Sequence, residues 1–147
     1  MADLPGAVLF SCSMNAVRSP MAESLLKHLL GHKIYVDSAG VRAGELDPFA
    51  VEVMDEIGID LSKHKVKTFD DLEDTSYDLI ISLSPEAQHR AVELTRTMAC
   101  EVEFWNTFDP SMAEGSRESR LAAYRQVRDF LKRKIEQRFA LDLKPVV

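Results

Sequence analysis

The stretch Asp78–Leu83 carries Leu79-Ile80-Ile81 with no polar residue between them, and this run constrains the fold most. A strand with one wet face alternates apolar and polar side chains. An unbroken apolar run needs cover on both faces, which a parallel sheet flanked by helices provides. Ala7–Ser11, Lys33–Ser38 and, more weakly, Glu101–Trp105 read as three further strands. Helical patterns separate them. Met21, Leu25, Leu26, Leu29 and Leu30 form one stripe; Ser19-Pro20 is expected to open that helix as N-cap and first helical residue, and Gly31 to close it. Asp47 is expected to cap a second helix that starts at Pro48, buries Ala50, Val53, Met54 and Ile57, and ends at Gly58. Pro85 starts a third, running to about Leu94. Ser116 caps a last one whose apolar face steps through Leu121, Tyr124, Val127, Leu131 and Ile135. The tail past Phe139 reads as loosely held.

Strands and helices in alternation predict an α/β fold: a single domain over residues 1–147 with an ordered core of about 6–140, built on a four-stranded parallel sheet with helices on both faces. At 46% hydrophobic and 29% charged, the 147 residues suffice for a core without a disulfide or metal staple. A net charge of −6 with no basic stripe argues against nucleic acid as a partner. Val8-Leu9-Phe10 is too short to cross a bilayer, so no membrane partner is expected. Met1–Gly6 carries Asp3 and lacks a basic start, so no export signal is expected either. With two cysteines, Cys12 and Cys100, the expected compartment is a reducing cytoplasm. His28, His32 and His89 read as exposed, and Cys100 as a packing residue. No set of His, Cys and carboxylates has metal-ligand spacing, so neither metal nor cofactor is expected.

In such folds ligands gather beyond the carboxyl ends of the strands, where the chain winds in opposite directions. The loop after the first strand is Cys12-Ser13-Met14-Asn15-Ala16-Val17-Arg18. Cysteine and arginine five residues apart mean little alone; between a strand and a helix start they form a cradle for an oxyanion. Successive N–H groups and the helix N-terminus face the oxygens, and Arg18 offers a planar fork to two of them. The same positive field favours thiolate over thiol at Cys12. Asn15 tolerates the left-handed backbone that a curled loop requires. Ser19 is placed to donate its hydroxyl to the sulfur. Asp109, followed by Pro110 and preceded by Phe104, Trp105 and Phe108, is the candidate acid, with the aromatics expected to desolvate it.

The segment Val8–Glu23, ending Arg-Ser-Pro-Met-Ala-Glu, resembles the phosphate loop and first helix of the low-molecular-weight protein tyrosine phosphatases, and the flavodoxin-like fold of that family is implied. Ser38-Ala39-Gly40, Gly58–Lys67 and Asp109-Pro110 follow in the family's order. From Val36 onward the chain is as similar to the arsenate reductases of the same fold. The resemblance implies a cysteinyl-phosphate enzyme with Cys12, Arg18 and Asp109 as catalytic residues, acting on a phosphorylated protein or a small phosphomonoester. It implies that Asn15, Ser38 and His64 steady the loop from behind. The chain departs from the phosphatases in three places: Met14 stands where they usually carry glycine, Val17 replaces a second cysteine, and Val41-Arg42-Ala43-Gly44 and Ser111-Met112 replace the aromatic pocket walls. It departs from the reductases in Ser84, which stands where a resolving cysteine would lie. Arsenate reduction by this chain therefore requires an external thiol, and a non-catalytic oxyanion-binding module is the remaining alternative. The sequence does not fix the oligomeric state.

Overall fold

In the computed structural model, residues 4–72 and 76–139 are described. Four strands, β1 (Ala7–Cys12), β2 (Tyr35–Gly40), β3 (Leu79–Ser82) and β4 (Glu101–Phe104), form one parallel sheet in the order β2-β1-β3-β4. The helices are α1 (Arg18–Leu30), α2 (Pro48–Asp55), α3 (Pro85–Leu94) and α4 (Arg117–Phe139), with short 3-10 turns at Phe69–Asp71 and Pro110–Met112. The chain is a single-domain α/β protein with helices on both faces of its sheet, as the unbroken apolar run requires. Every residue of β3 is buried.

Strand alternation divides the core. Val8, Phe10 and Cys12 of β1 join α1, α2 and α4 in one apolar cluster; Ala7 and Leu9 join Phe69, Tyr77 and Ala91 of α3 in the other. From β1 the chain runs outward to β2 on one side, while β3 and β4 lie on the other. The crevice of that reversal opens at the carboxyl end of β1, where Cys12 ends the strand.

Several boundaries shift from the sequence reading, and two of the shifts bear on the site. The second strand runs Tyr35–Gly40 rather than Lys33–Ser38, because the N–H groups of Lys33 and Ile34 both return to the Leu30 carbonyl and finish the turn after α1. Ser38-Ala39-Gly40 therefore lies within the sheet, Gly40 opposite Cys12. Helix α1 starts at Arg18 with Val17 as its uncapped N-cap, so Ser19 is not the cap. The Ser19 hydroxyl is engaged elsewhere, as described below. Asp47 and Ser116 cap where the sequence places them, accepting from the Phe49 and Ser119 N–H groups, and Ser84 caps α3 by accepting from Ala87. Helix α2 stops at Asp55, leaving Ile57 outside it, and Gly58 takes the left-handed φ of 79° beyond. The tail past Phe139 lies outside the described residues.

Candidate active site

The loop from Cys12 to Arg18 is shaped by a strap, residues 41–47, that follows β2. The N–H groups of Val41, Arg42, Gly44 and Asp47 donate to the carbonyls of Cys12, Ser13, Met14 and Ala16, at 3.1, 2.8, 3.0 and 3.1 Å. With these carbonyls tied outward, the N–H groups of residues 13–17 are left for the interior of the curl; they donate to no acceptor among the described residues. Such a ring of amides favours an anion. Strap and loop meet so closely at Gly40 that it has no room for a side chain: a Cβ there would lie 2.7 Å from both the Arg42 carbonyl oxygen and the Asn15 nitrogen.

Asn15 turns the loop at φ 53°, the one positive φ outside glycine among the described residues. All four of its hydrogen-bonding positions are used. Its Nδ2 donates to the Ser19 and Ser38 hydroxyls, each at 2.9 Å. Its Oδ1 accepts from the Lys67 N–H at 3.0 Å and lies 2.9 Å from His64 Nε2. Because the Ser19 oxygen already accepts from Asn15, its own proton is free for Cys12 Sγ, 2.9 Å away.

Behind this hub sits Glu23, buried and bonded to the Ser38 hydroxyl, ion-paired with Lys27, and 3.7 Å from His64 Nδ1. Burial pushes the His64 imidazole below its ordinary value; Glu23 and Asp37 pull it back up, while Lys67 and Lys27 push it further down. The neutral ring carrying its proton on Nε2 suits the Asn15 acceptor.

Arg18 is 8% exposed, with its Nη1 donating to the Thr107 carbonyl at 3.1 Å and its Nη2 3.8 Å from Asp109 Oδ2. The Trp105 and Thr107 N–H groups continue the pairing of β4 onto Ser82 and Leu83, which brings this segment to the carboxyl edge of the sheet. Asp109 caps the following turn, its Oδ1 accepting from Ser111 N–H at 3.0 Å and Ser111 Oγ at 2.7 Å, while Oδ2 faces Arg18. Cys12, Arg18 and Asp109 line one cavity of about 230 Å3 together with Met14 and Asp47.

The expected aromatic enclosure of Asp109 is not formed. Trp105 turns into the core against Phe10, ring centroids 6.1 Å apart, while Phe104 and Phe108 are 43% and 60% exposed. The Asp109 side chain keeps 34% of its surface in solvent. Asp47, the second Asp-Pro, spends both oxygens on structure: one caps α2 and the other accepts from the Tyr124 hydroxyl. His28, His32 and His89 are exposed. Cys100 precedes β4 at the amino edge of the sheet, away from Cys12 at the carboxyl edge, and both thiols are free; burial pushes the Cys100 thiol up. Sequence reasoning missed Glu23 and Thr107. A charged residue inside the apolar stripe of α1, four positions from both Ser19 and Lys27, was a readable signal for the first. Thr107 contributes a backbone carbonyl, which no side-chain pattern reports.

Residues 7–144 match the family described as low molecular weight phosphotyrosine protein phosphatase, and the chain is an enzyme of that family. An arsenate reductase of Halalkalibacterium halodurans is 36% identical over 129 residues, covering 88% of this chain and 91% of its own length. Among solved structures, an arsenate reductase in the phosphate binding state is 30% identical, with a TM-score of 0.71 over 92% of this chain and 97% of that one. A tyrosine phosphatase of Erwinia amylovora has the same fold, with a TM-score of 0.76 at 23% identity over 97% and 95% of the two chains.

Proposed function

We propose that this protein is a cysteine-dependent phosphomonoesterase, with a protein phosphotyrosine or a small phosphomonoester as substrate and the cytoplasm as its compartment. The observation that carries the reading is the convergence of a thiol, a guanidinium and a partly exposed carboxylate on one cavity, over a loop whose carbonyls are tied away from it. Sγ of Cys12 attacks phosphorus as the bond to the leaving oxygen breaks. Loop amides and Arg18 take the charge that develops on the equatorial oxygens. Asp109 gives its proton to the leaving oxygen, then takes one from the water that attacks the cysteinyl phosphate and frees the sulfur. The Ser19 hydroxyl, at 2.9 Å, stabilises sulfur as it departs. Asn15, Ser38 and His64 hold the loop in this shape. Turnover of an aryl phosphate tests the assignment: Cys12→Ser is expected to remove it while oxyanion binding persists, and Asp109→Asn to slow it about 10²- to 10⁴-fold with phosphate affinity nearly unchanged. Full activity in either variant would refute it.

A second reading is favoured by one finding, the 36% identity to an arsenate reductase. Here Cys12 Sγ bonds to arsenic with loss of water, and an external thiol then attacks that sulfur. The pair of electrons of the S–As bond stays on arsenic, which leaves as arsenite, and the mixed disulfide is resolved by a second thiol. No internal thiol serves, since Ser84 occupies the α3 cap and Cys100 lies at the far edge of the sheet. Arsenite release with a small thiol or a dithiol protein is its test, and none with either dismisses it.

A further inference from the structure

Met14 lies in the loop between Cys12 and Asn15, yet it is 39% exposed and lines the cavity. Its place there is built. A Cβ on Gly44 would lie 3.1 Å from Met14 Cβ and 3.2 Å from its Cε, so the side chain lies along the Gly44 backbone from root to tip. The Gly44 N–H bond to the Met14 carbonyl, 3.0 Å, fixes the alignment. The other apolar lining residues, Ala16 and Val17, are short, and among the described residues no aromatic side chain lines the cavity. Met14 is therefore the one long apolar side chain among the described residues that line the cavity beside the reacting sulfur.

We propose that Met14 selects the leaving group: its thioether is the wall on which a flat aryl ring rests, so aryl phosphates are preferred to small acyl phosphates. The inference rests on the phosphatase reading. A thioether is polarisable and makes favourable contacts with aromatic rings, which corresponds to about a two- to tenfold preference. Gly44 is the second half of the device. Its φ needs no glycine, so the missing side chain serves to keep Met14 flat against the strap; any larger residue there displaces the thioether toward the cavity.

The test compares kcat/KM for 4-nitrophenyl phosphate and acetyl phosphate in the intact chain, Met14→Ala, Met14→Leu, Gly44→Ala and the double alanine variant. Met14→Ala is expected to lower the aryl-to-acyl ratio about two- to tenfold, mainly through KM for the aryl substrate, with Met14→Leu recovering part of it. Gly44→Ala is expected to lower the same ratio, and the double variant to lose less than the two singles combined. Partial unfolding scales both substrates alike, so the ratio separates contact from stability. An unchanged or increased ratio in Met14→Ala, with both substrates turned over by the intact chain, overturns this inference alone. If the intact chain turns over neither substrate, the phosphatase reading falls and this inference with it.

Discussion

Asn15 concentrates more of the site than any other side chain, and its two contributions can be separated. It supplies four hydrogen bonds behind the loop and occupies φ 53°, where a Cβ is ordinarily costly. Asn15→Ala loses the bonds and keeps the backbone strain; Asn15→Gly loses the bonds and relieves it. At most sites glycine is the less stable of the two because it frees the unfolded chain. Here the order reverses: Asn15→Gly is expected to be more stable than Asn15→Ala by about 1 kcal/mol, read from urea unfolding midpoints. An alanine variant as stable as the glycine one would mean that the loop relaxes out of this conformation. Both variants should lose activity, since Ser19 and Ser38 each lose a donor. The left-handed turn was legible in the residue type. Of its partners, Ser38 and His64 were legible only through the family resemblance and Lys67 not at all, because all three reach Asn15 through folding of segments 23 to 52 residues away.

At the scale of elements, the strap after β2 shapes the loop, and α4 packs against α2. Gly40 sits where strand, strap and loop meet, and a methyl group there would press on backbone atoms that have nowhere to move. Gly40→Ala is expected to cost about 1–3 kcal/mol, or more, and to impair turnover beyond its loss of folded protein. A Tm within a degree of the parent, with full turnover, would contradict this. On the other side, Arg128 of α4 is buried and donates to the Val53 carbonyl near the end of α2 and to Glu56, both at 2.8 Å. Cutting it back leaves that carbonyl without a partner, so Arg128→Ala should cost about 2–3 kcal/mol while KM for substrate changes little. Thermal unfolding and kinetics on one preparation check both halves. The elements themselves were readable because each was locally consistent: apolar period, proline at the start, a serine or aspartate cap. The failures came where tertiary bonds overrode local habit. Ser19 looks like a cap, but its hydroxyl faces Sγ and Asn15. The 3-10 turn at Phe69–Asp71, closed by Thr68 and Asp71, is too short for any periodicity to announce.

For the molecule as a whole, the charged groups share a direction that sets its response to pH. Glu56, held by Arg125 and Arg128, is lowered to about 2, and Glu86, held by Arg42, is lowered as well. His64 is lowered chiefly by burial. Depressed values mean that the unfolded chain binds more protons than the folded one, so each contributes stability that is complete above its unfolded value and fades as pH falls through the folded one. Tyr124 works in the opposite sense. Burial first, then its bond to Asp47, raises it, so its share is complete below the ordinary tyrosine value of about 10 and is lost above it. Cys100, raised by burial, acts in the same sense as Tyr124, its share being lost above the ordinary thiol value of about 8.5. Stability should therefore form a plateau from about pH 7 to 8, well above the isoelectric point of 5.2. Below it the loss should come in two stages, His64 first as pH drops under 6.5, and the paired carboxylates only in stronger acid. Urea midpoints taken at intervals from pH 2 to 10 resolve the stages, and His64→Gln should flatten the first while leaving the second. A midpoint that climbs as pH falls from 7 to 5 would mean that His64 is protonated in the fold and paired with Glu23, reversing the tautomer assigned here and with it the donor that fixes Asn15.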